Sequence, residues 1–304
     1  MAGGGWDVLG FGVVAVDDLV YVDRFPEPDG KTLAMDRRRE GGGLAGTALV
    51  AAARLGARAS WCGVLGDDEL SRYSLAELVR EGVDVSRVIR RQGAAPCASV
   101  IIVVRPTGQR SIVSGIRGVT PFPPGEITPE MIRECRVLFV DHSSPSTSIR
   151  AAALAREAGI PVVADVEGFA DTGVTELVPL VDHLIVGAES AREHTGETDP
   201  ARMVRALAST GRTLTAVTTG ADGVWYAEGN EEPRHVPGHI VEAVDTTGCG
   251  DVFHGAYAAY LAFGEGVAGA VKAANAAAAL KATKPGGRTG IPDRAALTAF
   301  IGGK

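Results

Sequence analysis

The 304-residue sequence holds only four cysteines, Cys62, Cys97, Cys135 and Cys249, and none forms a CxxC pair. That spacing excludes a disulfide framework and a structural zinc knuckle, and it predicts a reducing, cytoplasmic setting. No basic tract is present and the net charge is −7, which argues against nucleic acid or an anionic membrane surface as partners. No apolar run is long enough to span a bilayer, because Asp17 and Asp18 interrupt the greasiest N-terminal stretch. The opening MAGGGWDVLG lacks the basic region and cleavage site of a signal peptide. Neither an internal repeat nor a low-complexity linker divides the chain, so residues 1–304 read as a single domain. Glycine, at 40 residues, is too frequent for a helix bundle and signals turns or close backbone approaches.

What is present is an alternation. Residues 7–16 read as one buried strand, 44–56 as an Ala/Leu-rich helix ended by Gly56, and 59–64 as a second strand. A helix ends at Gly82, and after Pro129 strand and helix alternate again through VLFVD, SIRAAALAREAG, IPVVADV and HLIVG. TLTAVTTG is a further strand, 223–237 a hairpin, and three helices near 250–263, 266–283 and 293–301 close the chain. Strands alternating with amphipathic helices predict an α/β fold, a mainly parallel sheet with helices on both faces. Two segments, about 17–40 and 95–118, break the rhythm with β character; the second holds strands around a PTGQ turn. Together they predict one small β-sheet lid made from two separate pieces.

Several familiar motifs fail on context. Gly10 to Ala15 matches GxGxxA, but VVAVDDLVYV continues as strand where a dinucleotide fingerprint needs a helix. Gly30-Lys31-Thr32 resembles the end of a P-loop, yet Phe25 stands where its first glycine should be. His235 and His239 have zinc-like spacing without a partnering Cys or acidic cluster.

The segment Asp-Thr-Thr-Gly-Cys-Gly-Asp-Val-Phe-His-Gly-Ala at 245–256 carries chemistry. Two glycines before a helix let backbone N–H groups converge on an anion, and the helix N-terminus adds positive potential. Asp251 at that point is either a helix N-cap or a base that deprotonates a hydroxyl attacking a phosphoryl group. An N-cap carboxylate would compete with the bound anion, which favours the base.

DTTGCGDVFHGA resembles the C-terminal signature of the PfkB, or ribokinase-like, sugar kinases, and GGGLAGTALVAAARLG followed by GVLGDD resembles their N-terminal one. The strand leading to Asp17, VTTGADGVWY and NAAAALKATKPGG fall in the family's order, so the resemblance covers nearly the whole chain. It implies a ribokinase-like fold and an ATP- and magnesium-dependent transfer to a sugar hydroxyl. Asp251 would be the base, and the N–H groups of Gly248, Cys249 and Gly250 the anion hole. Asp17 would bind sugar hydroxyls, with Gly42 and Gly43 letting the backbone approach the sugar. Thr218, Gly220 and Gly223 would lie along the nucleotide and Asn275 near its base. Asp245 and Thr247 sit where family members often hold a monovalent cation such as K+. Family members often dimerise through their lids, which implies a homodimer.

Departures from the pattern carry the specificity argument. Thr47 replaces a common Asn and cannot supply an amide's paired donor and acceptor. The family's NxxE motif falls in HLIVGAESARE, where Gly187 and Ser190 replace its ends; Glu189 is then either a magnesium-shell acid or a plain exposed helix residue. Cys249 replaces a usual alanine, and a thiol at a helix N-terminus is expected to have a lowered pKa and to oxidise readily. The GGG-x-A-x-TA and DVFHGA contexts are more similar to the fructose-type and sulfofructose-type branch than to ribokinase or nucleoside kinases. Lys31, Arg110 and Arg117 lie in the predicted lid, as cations for a sulfonate or phosphate on the sugar or as edge charges that block aggregation. A catalytically inactive sugar-binding regulator is the competing class, and the intact Asp251 with its flanking glycines favours an enzyme.

Overall fold

The alternation becomes two sheets of different size and make-up. The structure, a computed structural model, describes residues 5–169 and 172–303. Its strands are β1 (Trp6–Phe11), β2 (Ala15–Val22), β3 (Asp36–Gly42), β4 (Ala59–Cys62), β5 (Val64–Leu65), β6 (Ile89–Arg90), β7 (Cys97–Val104), β8 (Gln109–Gly115), β9 (Cys135–Asp141), β10 (Val162–Asp165), β11 (His183–Gly187), β12 (Leu214–Thr218), β13 (Gly223–Glu228) and β14 (Arg234–Pro237). Its helices are α1 (Leu44–Arg54), α2 (Glu69–Arg80), α3 (Pro129–Arg133), α4 (Pro145–Ala158), α5 (Thr172–Leu177), α6 (Ala188–Thr195), α7 (Pro200–Leu207), α8 (Cys249–Ala262), α9 (Val267–Ala282) and α10 (Arg294–Gly302).

The large sheet runs β14-β13-β12-β11-β10-β9-β1-β4. Its six strands from β12 to β4 are parallel, and the 223–237 hairpin adds two antiparallel strands at one edge. β9, β10 and β11 are apolar runs because both faces are covered. On one face Leu49, Phe139, Phe253 and Tyr257 pack among α1, α8 and α9; on the other, Leu138, Leu154, Leu184 and Val204 pack under α4 and α7. Small residues let α1 and α8 meet closely. A Cβ on Gly255 would lie 1.9 Å from the Ala48 carbonyl oxygen, so glycine is required at that crossing. The crossing fixes where α8 begins, over the C-terminal ends of the parallel strands, which is where open α/β sheets bind ligands.

The small sheet runs β3-β2-β7-β8, built from two segments as the sequence predicts. Leu19, Tyr21, Ile101 and Val103 form its own apolar cluster on one side, and β8 is exposed along its whole length.

The expected single strand over 7–16 is in fact two strands in different sheets. β1 ends at Phe11 and β2 starts at Ala15 in the small sheet. The break is at Gly12, whose φ is +149° and whose added Cβ would lie 2.1 Å from Asp141 Oδ2. That carboxylate accepts the Val13 N–H at 2.8 Å and pins the crossover. An apolar run cannot distinguish one long strand from two shorter ones when the chain changes sheets.

Candidate active site

The loop 245–248 delivers the chain into α8. Gly248 is in the left-handed region, at φ 75°, and a Cβ there would lie 2.9 Å from the Gly287 carbonyl oxygen. α8 has no side-chain cap, so the positive end of a 14-residue helix is presented by backbone alone. The Cys249 N–H donates to the Thr246 carbonyl at 3.2 Å and closes the turn. At Gly250 an added Cβ would meet nothing within 4 Å, so the helix end opens onto free space there.

Asp251 follows in the first turn of α8. Burial pushes its carboxyl well above the ordinary carboxylate range, and the nearby Asp165 pushes it further. Asp165 ends β10, and burial with Glu167 and Asp141 nearby raises it as well. His254, one turn along α8 from Asp251, pulls Asp251 back down. Its Nδ1 lies 2.8 Å from the Gly250 carbonyl and 3.3 Å from Asp165 Oδ2, and its Nε2 lies 3.1 Å from the Ile185 carbonyl. The base candidate therefore stands above a buried carboxylate–imidazole pair that the sequence reading missed. Asp165 is marked in the sequence only by being a charged residue at the end of an apolar strand.

The other acid, Asp17, comes from the small sheet. It is buried, and burial raises it to about 6 against the opposing Ser99 hydroxyl and Arg288 charge. Ladder register aligns Asp17, Ser99 and Ser114 across β2, β7 and β8, with the two serine oxygens 3.4 Å apart. The two nearby glycines serve this acid in a way the sequence reading did not foresee. A Cβ on Gly42 would lie 1.8 Å from Asp17 Oδ2, and one on Gly43 (φ +85°) 2.5 Å from the Val13 carbonyl oxygen. Here they admit the carboxylate and the crossing backbone. Thr47 is buried and its hydroxyl accepts the Arg288 Nε–H at 3.3 Å. Arg288, itself buried, also donates to the Gly42 carbonyl at 2.8 Å, a structural cation that follows the PGG of the last helix–loop junction.

Thr218, Gly220, Gly223 and Asn275 line one cleft of about 400 Å³ with Cys249 and Gly250. Ile240, fully exposed, adds apolar surface to its wall. Asn275 donates from Nδ2 to the Pro237 carbonyl at 2.9 Å and so ties α9 to the end of β14. The cleft ends at the opening over Gly250, a shape and polarity that fit a nucleotide whose phosphates lead to the helix. Among the described residues no three His, Cys, Asp or Glu side chains are grouped to hold a metal. Glu189 is exposed in the first turn of α6.

The three lid cations separate. Arg110 donates from Nη1 to the Thr246 hydroxyl at 2.9 Å, which places it on the loop leading to α8. Lys31, between β2 and β3, and Arg117, after β8, are exposed. The Cys249 expectation is corrected. Burial raises its thiol above the ordinary value despite the nearby Lys281 and Arg110 charges, with Asp245 and Asp251 adding to the rise.

A mainly parallel α/β sheet, a glycine-flanked helix end with an acid behind it and a second acid on a small sheet define a phosphotransferase of the ribokinase-like class. The pfkB family carbohydrate kinase model matches residues 9–294, and the chain belongs to that family of sugar kinases. It is 32% identical over 308 residues to an ATP-dependent ribose-1-phosphate kinase of Halopiger xanaduensis, covering 97% of each chain. An Agrobacterium tumefaciens protein crystallised as a candidate ribokinase superposes with a TM-score of 0.90 at 32% identity, with 98% of each chain covered. The Arabidopsis thaliana ribokinase complexed with ribose and ATP shares the fold, with a TM-score of 0.84 at 23% identity over 98% of this chain and 99% of that one.

Proposed function

We propose that the chain moves the γ-phosphoryl group of ATP to a primary hydroxyl of a fructose-like ketose, with selection for a sulfonate or phosphate elsewhere on the sugar. The observation that carries this reading is the pairing of two acids. Asp251 sits behind the open helix end at Gly250, near enough to Asp17 for that charge to raise it further. In this reading Asp251, made a stronger base by burial, takes the hydroxyl proton. Backbone N–H groups at Gly248 and Gly250 and the positive end of α8 balance charge on the transferring group, while the Cys249 N–H, expected there too, is spent on the Thr246 carbonyl that closes the turn. Arg110 adds a cation beside the same loop rather than at the sugar's far end. Asp17 orients the sugar through its hydroxyls, with Ser99 and Ser114 continuing the polar row. ATP with magnesium supplies the phosphoryl group, and the exposed Glu189 at the start of α6 would be an outer acid of the magnesium shell.

In this reading the exposed Lys31 and Arg117 are the cations that would meet the anionic group. The 32% identical relative, whose own named substrate is a sugar phosphate, supports the anionic-sugar reading. An ADP-release screen over fructose, tagatose, 6-sulfofructose, fructose phosphates, ribose, ribose 1-phosphate and adenosine tests it. Turnover is expected with a ketose, highest with an anionic one and lowered selectively by Lys31→Ala or Arg117→Ala. Turnover confined to ribose or adenosine overturns the ketose assignment.

The small sheet is the lid of a single kinase domain in this reading. Its outer side exposes Val100 (44%) and Val113 (66%), an apolar strip on an edge-bearing sheet. A homodimer that pairs two lids would cover it, and a monomer at micromolar concentration in light scattering would refute the pairing. The four free cysteines support a reducing, cytoplasmic compartment.

A further inference from the structure

Lys281 is 0% exposed, and fully buried lysines require a partner. Its Nζ donates to the main-chain carbonyl of Asp245 at 2.8 Å, at the root of the phosphate loop. This is the place where the family resemblance puts a monovalent metal cation, and the residues there do not fit one. Asp245 Oδ1 is taken by the Thr247 N–H at 2.8 Å, and Oδ2 by the Tyr21 hydroxyl at 2.8 Å and the Gly286 N–H at 2.9 Å. The neighbouring Ala282 carbonyl already accepts the N–H groups of Val244 and Asp245. The Thr247 hydroxyl, beside the Asp245 carboxylate, is the further buried side-chain oxygen of this turn among the described residues, and one oxygen does not replace the several that a hard cation needs. A metal ion there would also face the ammonium as a like charge.

We propose that the Lys281 ammonium is the built-in counterion of Asp245 and of the phosphate loop, so that this kinase works without a monovalent metal ion. Lys281 sits on the last turn of α9, and Asp245 is tied to that turn through both its N–H and its carbonyl. The ammonium thus holds the loop that positions Gly248 to Asp251, as a bound cation would. Burial works against the charge on Lys281, while Cys249 and Asp245 nearby favour it. Burial likewise works against the Asp245 carboxylate, yet the Lys281 charge and two backbone N–H groups keep it below its ordinary value. The inference rests on the kinase reading only for its activity arm.

The test compares KCl, NaCl and N-methylglucamine chloride at equal ionic strength. The thermal midpoint is read without sugar or nucleotide, so an error in the substrate assignment leaves that arm intact. The wild type is expected to show neither a K+-specific midpoint shift nor a K+-specific rate. Lys281→Ala frees the ammonium's space; it should lose roughly tenfold in ADP release, as expected for removing a charged hydrogen bond, and gain both K+ responses. Lys281→Met, which fills that space, should lose activity and respond to no cation. A wild type stimulated or stabilised specifically by K+ overturns the proposal. So does a folded Lys281→Ala that keeps wild-type activity in N-methylglucamine.

Discussion

The 245–251 segment and the small sheet each carry one candidate acid, Asp251 and Asp17, and they are built in opposite ways. The loop uses backbone. Gly248 turns the chain, α8 starts without a side-chain cap, and Gly250 faces open space. The small sheet uses side chains. Asp17 fills the gap left by the missing Cβ of Gly42, with Ser99 and Arg288 around it. A backbone site is rigid and indifferent to what surrounds it, whereas a side-chain site depends on every packed neighbour. Perturbing the loop should therefore damage catalysis with little effect on stability, and perturbing the sheet should trade stability against sugar binding.

The largest effect expected is from Asp251→Asn. The change keeps shape and removes the proposed base, and loss of a positioned base costs about 10²–10⁴-fold in rate. Turnover should collapse while ATP binding, read by calorimetry, survives. A loss of only a few-fold would take Asp251 out of the mechanism. Gly250→Val comes next. An added Cβ meets no protein atom within 4 Å, so the fold should hold by circular dichroism. In the proposed mechanism the side chain would instead occupy the space the phosphoryl group needs, and displacing one donor costs about 2.7–4 kcal/mol of transition-state stabilisation. Near-normal turnover would show that phosphate does not pass over Gly250.

This contrast also decides what the sequence could reveal. Glycine spacing around Asp251 is local, so the loop can be read from a dozen consecutive residues. The strand–helix rhythm is local too, and it yields the parallel sheet. Asp165, His254 and Arg288 escaped because their significance lies in neighbours far along the chain. His254 meets Asp165 across 89 positions and Arg288 meets Thr47 across 241. The Arg110 contact was hidden for the same reason. Membership of the small sheet was legible from β character, but the Arg110 side chain meets Thr246, 136 positions away, through the β2-β7-β8 register. The Cys249 thiol differs from expectation because desolvation by residues far along the chain is not visible in its local sequence.

Gly42→Ala sharpens the sheet side of the comparison. Its Cβ would lie 1.8 Å from Asp17 Oδ2, so the carboxylate must rotate away from its seat. Overpacking of this kind costs about 1–3 kcal/mol. The sugar KM should rise by roughly tenfold or more, with the ATP KM unchanged. Equal changes in both would place Gly42 in general packing rather than in the sugar site.

The smallest effect, and the one that separates the two acids most cleanly, is the pH dependence of Asp17→Asn. In the folded chain Asp17 is raised by burial to about 6 from 3.8. The folded state therefore binds this proton more tightly than the unfolded one. Its favourable contribution is fully present below the unfolded value and is lost as pH rises through 6. At pH 7 the buried charge weakens the fold, and the neutral Asn of the variant does not. Asp17→Asn should thus have the higher thermal midpoint above pH 6, and the gap should close as pH falls from 6 toward 4. Sugar binding should move the opposite way, weaker in the variant at pH 7 because an amide accepts fewer hydroxyl hydrogen bonds than a carboxylate. Midpoints measured from pH 4 to 8 for both proteins check the sign. A variant less stable than the wild type at pH 7 would mean that Ser99 and Arg288 hold the carboxylate more firmly than burial opposes it, and Asp17 would then be a structural anchor first.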